Sequence, residues 1–106
     1  MKDSEFFEAC AEEIDKGWCQ NSLGAWYHST GDVCAVGAMY RVAPTVLGQR
    51  GGGQLTLMQF AIRQAAFQQH VGTDHIPDWN DLPGRTKDQV YDEFMGLAKK
   101  LRNEGE

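Results

Sequence analysis

The chain has 106 residues, 42% of them hydrophobic and 10% aromatic, which fits one domain over residues 1–106 and excludes intrinsic disorder. Its formal charge of −5, from 15 acidic and 10 basic residues, excludes nucleic-acid binding through a general basic field, because neutralising phosphates takes clustered Lys and Arg. No run approaches the roughly 20 apolar residues that span a bilayer, and MKDSEFFEAC lacks the basic-then-apolar order of a secretory signal; the expectation is a soluble, cytoplasmic protein with no membrane partner and three reduced cysteines.

The first helix is predicted from about Glu5 to Lys16. Ser4 is the candidate N-cap, Glu5 and Glu8 suit the positive end of the helix dipole, and Phe6, Phe7, Cys10, Ala11 and Ile14 share one face. Cys10 reads as core. Gly17 is the natural left-handed residue after the helix, with Trp18 folding back on the last turn.

Residues Cys19 to Asp32 lack helical periodicity and carry turn signals at Asn21–Gly24 and Ser29–Asp32, so a short β-hairpin is drawn around residues 24–34. Val33 to Ala43 is apolar nearly all round, a buried second helix with Asp32 or Thr30 as N-cap and Pro44 ending it. A Gly-rich connector follows, from Leu47 to Gln54.

Thr56 and Gln59 then make a capping box, and Leu55 with Phe60 a hydrophobic staple, opening a third helix that stops at Gly72. Its apolar arc (Leu57, Met58, Phe60, Ala61, Ile62, Ala65, Phe67, Val71) covers more than half the circumference, which marks it as the central helix, with Gln59, Arg63 and His70 facing away. Gln64 and Gln68 fall within the arc, either beside a gap or as a buried amide pair. Residues Thr73 to Arg85 read as an ordered loop anchored by Ile76, Trp79 and Leu82. Thr86 with Gln89 repeats the capping box and opens a last helix to about Arg102, burying Val90, Tyr91, Phe94, Leu97, Ala98 and Leu101. The predicted architecture is therefore all-α: a single small four-helix domain, with the short hairpin between the first two helices.

Four local patterns occur in a fixed order: Gly17-Trp18-Cys19-Gln20, Cys34-Ala35-Val36-Gly37-Ala38, Trp79-Asn80-Asp81, and Gly84-Arg85-Thr86. In that order the chain resembles a family of small actinobacterial and phage proteins classed as a domain of unknown function. The resemblance implies a helical domain of phage or mobile-element origin, and no reaction, ligand or catalytic residue.

Cys19, Cys34, His28 and His75 are zinc-ligand types, but none stands in the CxxC or HxxxH spacing by which neighbouring ligands pre-organise a site. Neither a metal nor a cofactor is expected. Cys34, near a helix start, is the candidate reactive thiol, since a helix N-terminus stabilises thiolate; Cys19 is the second. Arg50 with Gly51–Gly53 lacks the Lys-Ser/Thr ending of a phosphate loop. Asn80, Asp81 and Arg85 form the most distinctive polar cluster, with Gln20 and His75 as neighbours. Bracing the start of the last helix accounts for much of it; Arg85 can also meet an anion. Trp26, Tyr27 and Trp79 are the candidate aromatic anchors for a partner. The reading that combines these is a non-enzymatic interaction module, a phage-encoded modulator binding a host or phage protein. The alternative is a small enzyme or ligand-binding domain using Cys34 and Cys19 with the Asn80-Asp81-Arg85 loop.

Overall fold

A computed structural model describes residues 2–22, 31–43 and 53–105, with residues 53–57 as backbone only. Among these residues five helices follow one another: α1 Asp3–Lys16, α2 Ala35–Val42, α3 Gly53–Val71, α4 Ile76–Asn80 and α5 Lys87–Asn103. The fold is all-α. The helix absent from the four predicted is α4, five residues within the loop 73–85, where Pro77 sits in the first turn with φ pre-set for a helix. Of the hairpin expected around residues 24–34, residues 24–30 lie outside the described ones; Val33 makes an isolated parallel β-bridge with Trp18.

Helix α1 is the hub. It packs most extensively along α5 and next along α2, and its Phe6, Phe7, Cys10, Ala11 and Ile14 are all fully buried. The Phe7 ring stacks near Phe67 of α3 and Phe94 of α5, with centroids at 6.5 and 6.2 Å. Phe67 and Phe94 lie 4.4 Å apart. The helix starts at Asp3, so Ser4 is not its cap but a buried residue of its first turn. Glu5 instead reaches back, its Oε1 accepting from Lys2 N at 2.7 Å. Gly17 is extended (φ 170°), not left-handed; a Cβ there would meet the Asp32 carboxylate, which would have to turn away.

The long third helix is peripheral, contrary to its apolar arc. Phe60 and Phe67 point inward, the former stacked on Tyr40 of α2 at 4.9 Å. Arg63, expected to face away, lies against α1: its Nε donates to Asp3 Oδ1 at 2.9 Å and its guanidinium covers the Phe6 ring at 4.6 Å. That orientation turns Met58 and Ile62 outward, 56% and 61% exposed, with Ala61 and Ala65 exposed beside them. Gln64 and Gln68 are half-buried, and Gln68 Nε2 donates to Asp74 O at 3.1 Å. Helix α3 opens at Gly53, so Thr56 lies inside it and is not its cap. It ends as its sequence predicts, with Gly72 left-handed at φ 77° and donating to Gln68 O. Thr86 caps α5 as predicted, Oγ1 accepting from Gln89 N at 3.2 Å and Gln89 Oε1 accepting from Thr86 N at 3.0 Å.

Replacing Phe7 by Ala should cost about 3–5 kcal/mol in urea unfolding, the range for a buried Phe truncated in a packed core. Ile62→Ala should stay within about 0.5 kcal/mol, as for an exposed residue. A large loss at Ile62 would put α3 back at the centre.

Candidate functional site

The four motifs meet in space. Helix α4 ends on Asn80, which is fully buried, and its amide makes the bonds an amide can make. Oδ1 accepts from Trp18 Nε1 at 2.7 Å and from Ala35 N at 3.0 Å. Nδ2 donates to Cys19 O at 3.1 Å and to Asp81 Oδ1 at 3.0 Å. The amide thus joins the end of α1, the start of α2 and the end of α4. Asp81 Oδ1 also accepts from Asn21 N at 2.7 Å, where Asn21 takes a left-handed φ of 64°. Gln20 Nε2 donates to the carbonyls of Asn80 and Leu82, both at 3.1 Å.

Arg85 closes the far side. Its Nε donates to Trp79 O at 3.1 Å and its guanidinium lies 4.2 Å over the Trp79 ring. The same ring meets Phe67 edge-on at 5.4 Å. Trp79 is therefore a core residue under an arginine, and Leu82, predicted as an anchor to the core, is 52% exposed.

The start of α2 draws on two sources. Cys34, not Asp32 or Thr30, is the N-cap: its Sγ accepts from Gly37 N at 3.3 Å. Asn80 satisfies the next free amide, Ala35 N, from 45 residues away. Burial pushes the Cys34 thiol above its ordinary range and outweighs the bonds from the Gly37 and Val36 amides, which pull it down. The lowered value expected of a helix N-terminus is thus reversed. Cys19, half-buried, is also raised, first by burial and then by the negative charges of Cys34, Asp32 and Asp81. Cys10, deep in the core, is raised well above 9.0 by burial. Both Cys19 and Cys34 are thiols at neutral pH.

A cavity of about 340 Å³ opens beside this cluster, lined by Ser22, Cys34, Pro77 and Asp81. The described histidines lie elsewhere: His75 pairs with Asp78 at 3.1 Å on the surface, and His70 approaches Glu93 at 3.9 Å. Among the described residues no three His, Cys, Asp or Glu gather where they could hold a metal ion, and no buried side-chain N or O lacks a partner. Gln20, Trp79, Asn80, Asp81, Arg85, Cys19 and Cys34 are thus brought together, and His75 is not. Trp26, Tyr27, His28 and Arg50 lie outside the described residues. Trp18 is the member that sequence reasoning missed; the signal was its place in the same motif as Gln20.

Fold and site define an all-helical protein whose polar motif residues bind one another. The model of DUF6197, a family of unknown function, matches residues 1–99, and the chain belongs to that family. No match was found among curated proteins or solved structures.

Asn80→Ala leaves Ala35 N, Trp18 Nε1 and Cys19 O without this partner and should cost about 3 kcal/mol or more in chemical unfolding. Asn80→Asp keeps both accepted bonds, cannot donate to Cys19 O, and sets a second carboxylate against Asp81. Its deficit from wild type should shrink as pH falls from about 7 to about 4, because protonation removes the repulsion and restores a donor. In iodoacetamide labelling at neutral pH, Cys19 and Cys34 should react more slowly than a model thiol, and Cys10 only on unfolding. A Cys34 faster than the model thiol would revive a nucleophile.

Proposed function

We propose that this chain is a non-enzymatic protein-interaction module that docks through the outward face of α3. The observation that carries the reading is the run Met58, Ala61, Ile62 and Ala65, exposed at positions i, i+3, i+4 and i+7. That spacing makes one continuous stripe on a helix. It holds no charge on a chain of net −5, so it suits neither phosphate nor an anionic membrane surface. The small Ala61 and Ala65 let another backbone come close, which favours an apolar helix of a partner protein. A host or phage protein is the partner class, in keeping with a phage-encoded modulator of a host process. Trp26 and Tyr27 remain candidate contacts at a second position.

The alternative, a small enzyme or ligand-binding domain at Cys34, is favoured by one observation, the cavity lined by Ser22, Cys34, Pro77 and Asp81. Against it stand the raised thiols and the engagement of Asn80, Asp81 and Arg85 in the fold.

The test is affinity purification of the tagged chain from bacterial lysate, followed by reconstitution with whatever is captured. Met58→Glu/Ile62→Glu should melt like wild type, since both side chains are exposed, and should bind the partner at least tenfold more weakly. Undiminished binding by this variant, with loss in Trp26→Ala/Tyr27→Ala, would move the interface to those aromatics. Capture of nothing by wild type, together with a thermal shift by a small molecule that Cys34→Ser abolishes, would favour the cavity.

A further inference from the structure

We propose that Cys19 and Cys34 are a dithiol site that closes to a reversible intramolecular disulfide by exchange with small-molecule disulfides of the oxidised-glutathione type. The juxtaposition follows from the backbone. Trp18 and Val33 are a parallel β-bridge pair, held by Val33 N donating to Gly17 O and Cys19 N donating to Val33 O, both at 3.0 Å. In parallel register the next pair is Cys19 opposite Cys34. The bridge is isolated: beyond it the Asn80 amide, and not a further ladder bond, joins Cys19 O and Ala35 N, with Cys34 still extended (φ −84°, ψ 179°) one residue past the bridge. Bridge partners sit about 4.8 Å apart, so one residue past the bridge the two cysteines start from the lower part of the 4.4–6.8 Å Cα window that a disulfide spans.

Three further observations fit. Ionised Cys34 would raise the Cys19 thiol further, which places the two groups within electrostatic reach. Cys34 lines a cavity, so its side chain is not closely packed on every side. Closure gives up little hydrogen bonding. Cys19 Sγ donates to Ser22 O at 3.6 Å, a weak bond that closure would break, and a disulfide sulfur at Cys34 can still accept from Gly37 N. Cys10 does not compete: it is fully buried in α1, with Arg63 and Glu13 as its charged neighbours.

The exchange runs in two steps. Cys19, the more exposed of the pair, loses its proton to solvent and attacks one sulfur of oxidised glutathione. The S–S bond of the reagent breaks, one glutathione thiolate leaves, and Cys19 carries the mixed disulfide. Cys34 then loses its proton and attacks the Cys19 sulfur, forming the Cys19–Cys34 bond and expelling the second glutathione thiolate. The protein pair loses two electrons, the reagent gains them, and the two released thiolates take up the two protons. Because thiolate is the attacking form, closure should quicken as pH rises toward 9.

The test treats the native full chain with oxidised glutathione, blocks remaining thiols, and maps the peptides by mass spectrometry. The expected product is monomeric and two hydrogens lighter. It carries a 19–34 linked peptide, leaves Cys10 to be alkylated only after denaturation, and reverts with dithiothreitol. Cys34→Ser should fold, because Ser is a better N-cap than Cys, and should stop at a glutathione adduct on Cys19. The oxidised chain should also melt higher than the reduced one, since the bridge restricts residues 20–33 in the unfolded state. A persistent glutathione adduct on wild-type Cys19, a link to Cys10, a link between two chains, or closure only in denaturant would each overturn the proposal.

Discussion

A single buried amide sets the architecture. The Asn80 side chain has two acceptor positions and two donor hydrogens, and each meets a different group: Trp18, Ala35, Cys19 and Asp81. Each bond contributes only about 1 kcal/mol net, whereas burying Phe6, Phe7, Phe67 or Phe94 contributes about 2–3 kcal/mol. The aromatic core therefore supplies most of the stability. What the amide supplies is uniqueness. Apolar side chains tolerate a rotated or shifted partner helix, but any shift of α4 against α2 or the Trp18–Cys19 segment strands several buried polar groups at once.

The same constraint explains why α1, and not the more apolar α3, is central. Helix α1 is short and amphipathic, and its apolar face is continuous from Phe6 to Ile14. The Gly17–Gln20 segment that follows is tied to Asn80, so α1 cannot swing away from α2 and α4. The arc of α3, more than half a turn, was compatible with many rotations. Two aromatic side chains seven residues apart, Phe60 and Phe67, and the Arg63–Asp3 pair select one of them. Met58, Ala61, Ile62 and Ala65 are what that choice leaves outside.

This separates what the sequence could tell from what it could not. Local signals were legible: Gly72 as a helix stop, the Thr86–Gln89 box, the buried stripe of α5 and the core position of Cys10. Each depends on atoms within about one helical turn. The errors share the opposite property. The cap of α2 was sought at Asp32 or Thr30 because a helix start usually finds its acceptor nearby, yet Ala35 N is satisfied by a side chain on another helix. Trp79 was read both as an anchor of its loop to the core, which it is, and as a partner contact, which its burial leaves little room for. That burial comes from Phe67 on one side and Arg85 on the other. Helix α4 escaped because five residues carry too little periodicity to register. The candidate site was half legible: the residues that converge were named, and their convergence was not.

That convergence bears on how a function can be sought in this chain. Gln20, Asn80, Asp81 and Arg85 are the residue types a catalytic or anion-binding reading would select, and each is engaged in holding the fold. Their chemistry is spent on backbone carbonyls, amides and one aromatic ring. Any activity must then come from groups the hub positions without consuming. Among the described residues, two sets meet that condition. One is the outward stripe of α3, set by the rotation that the core imposes. The other is the cysteine pair, whose backbone atoms the hub holds directly: Cys19 O accepts from Asn80 Nδ2, and Ala35 N, beside Cys34, donates to Asn80 Oδ1. A change in the covalent state of those sulfurs would act on the amide that fixes the helices, whereas a partner docked on α3 would touch none of its bonds. On these proposals the two would vary independently, and chemistry at the cysteines would bear on the fold's rigidity more than on its exposed face.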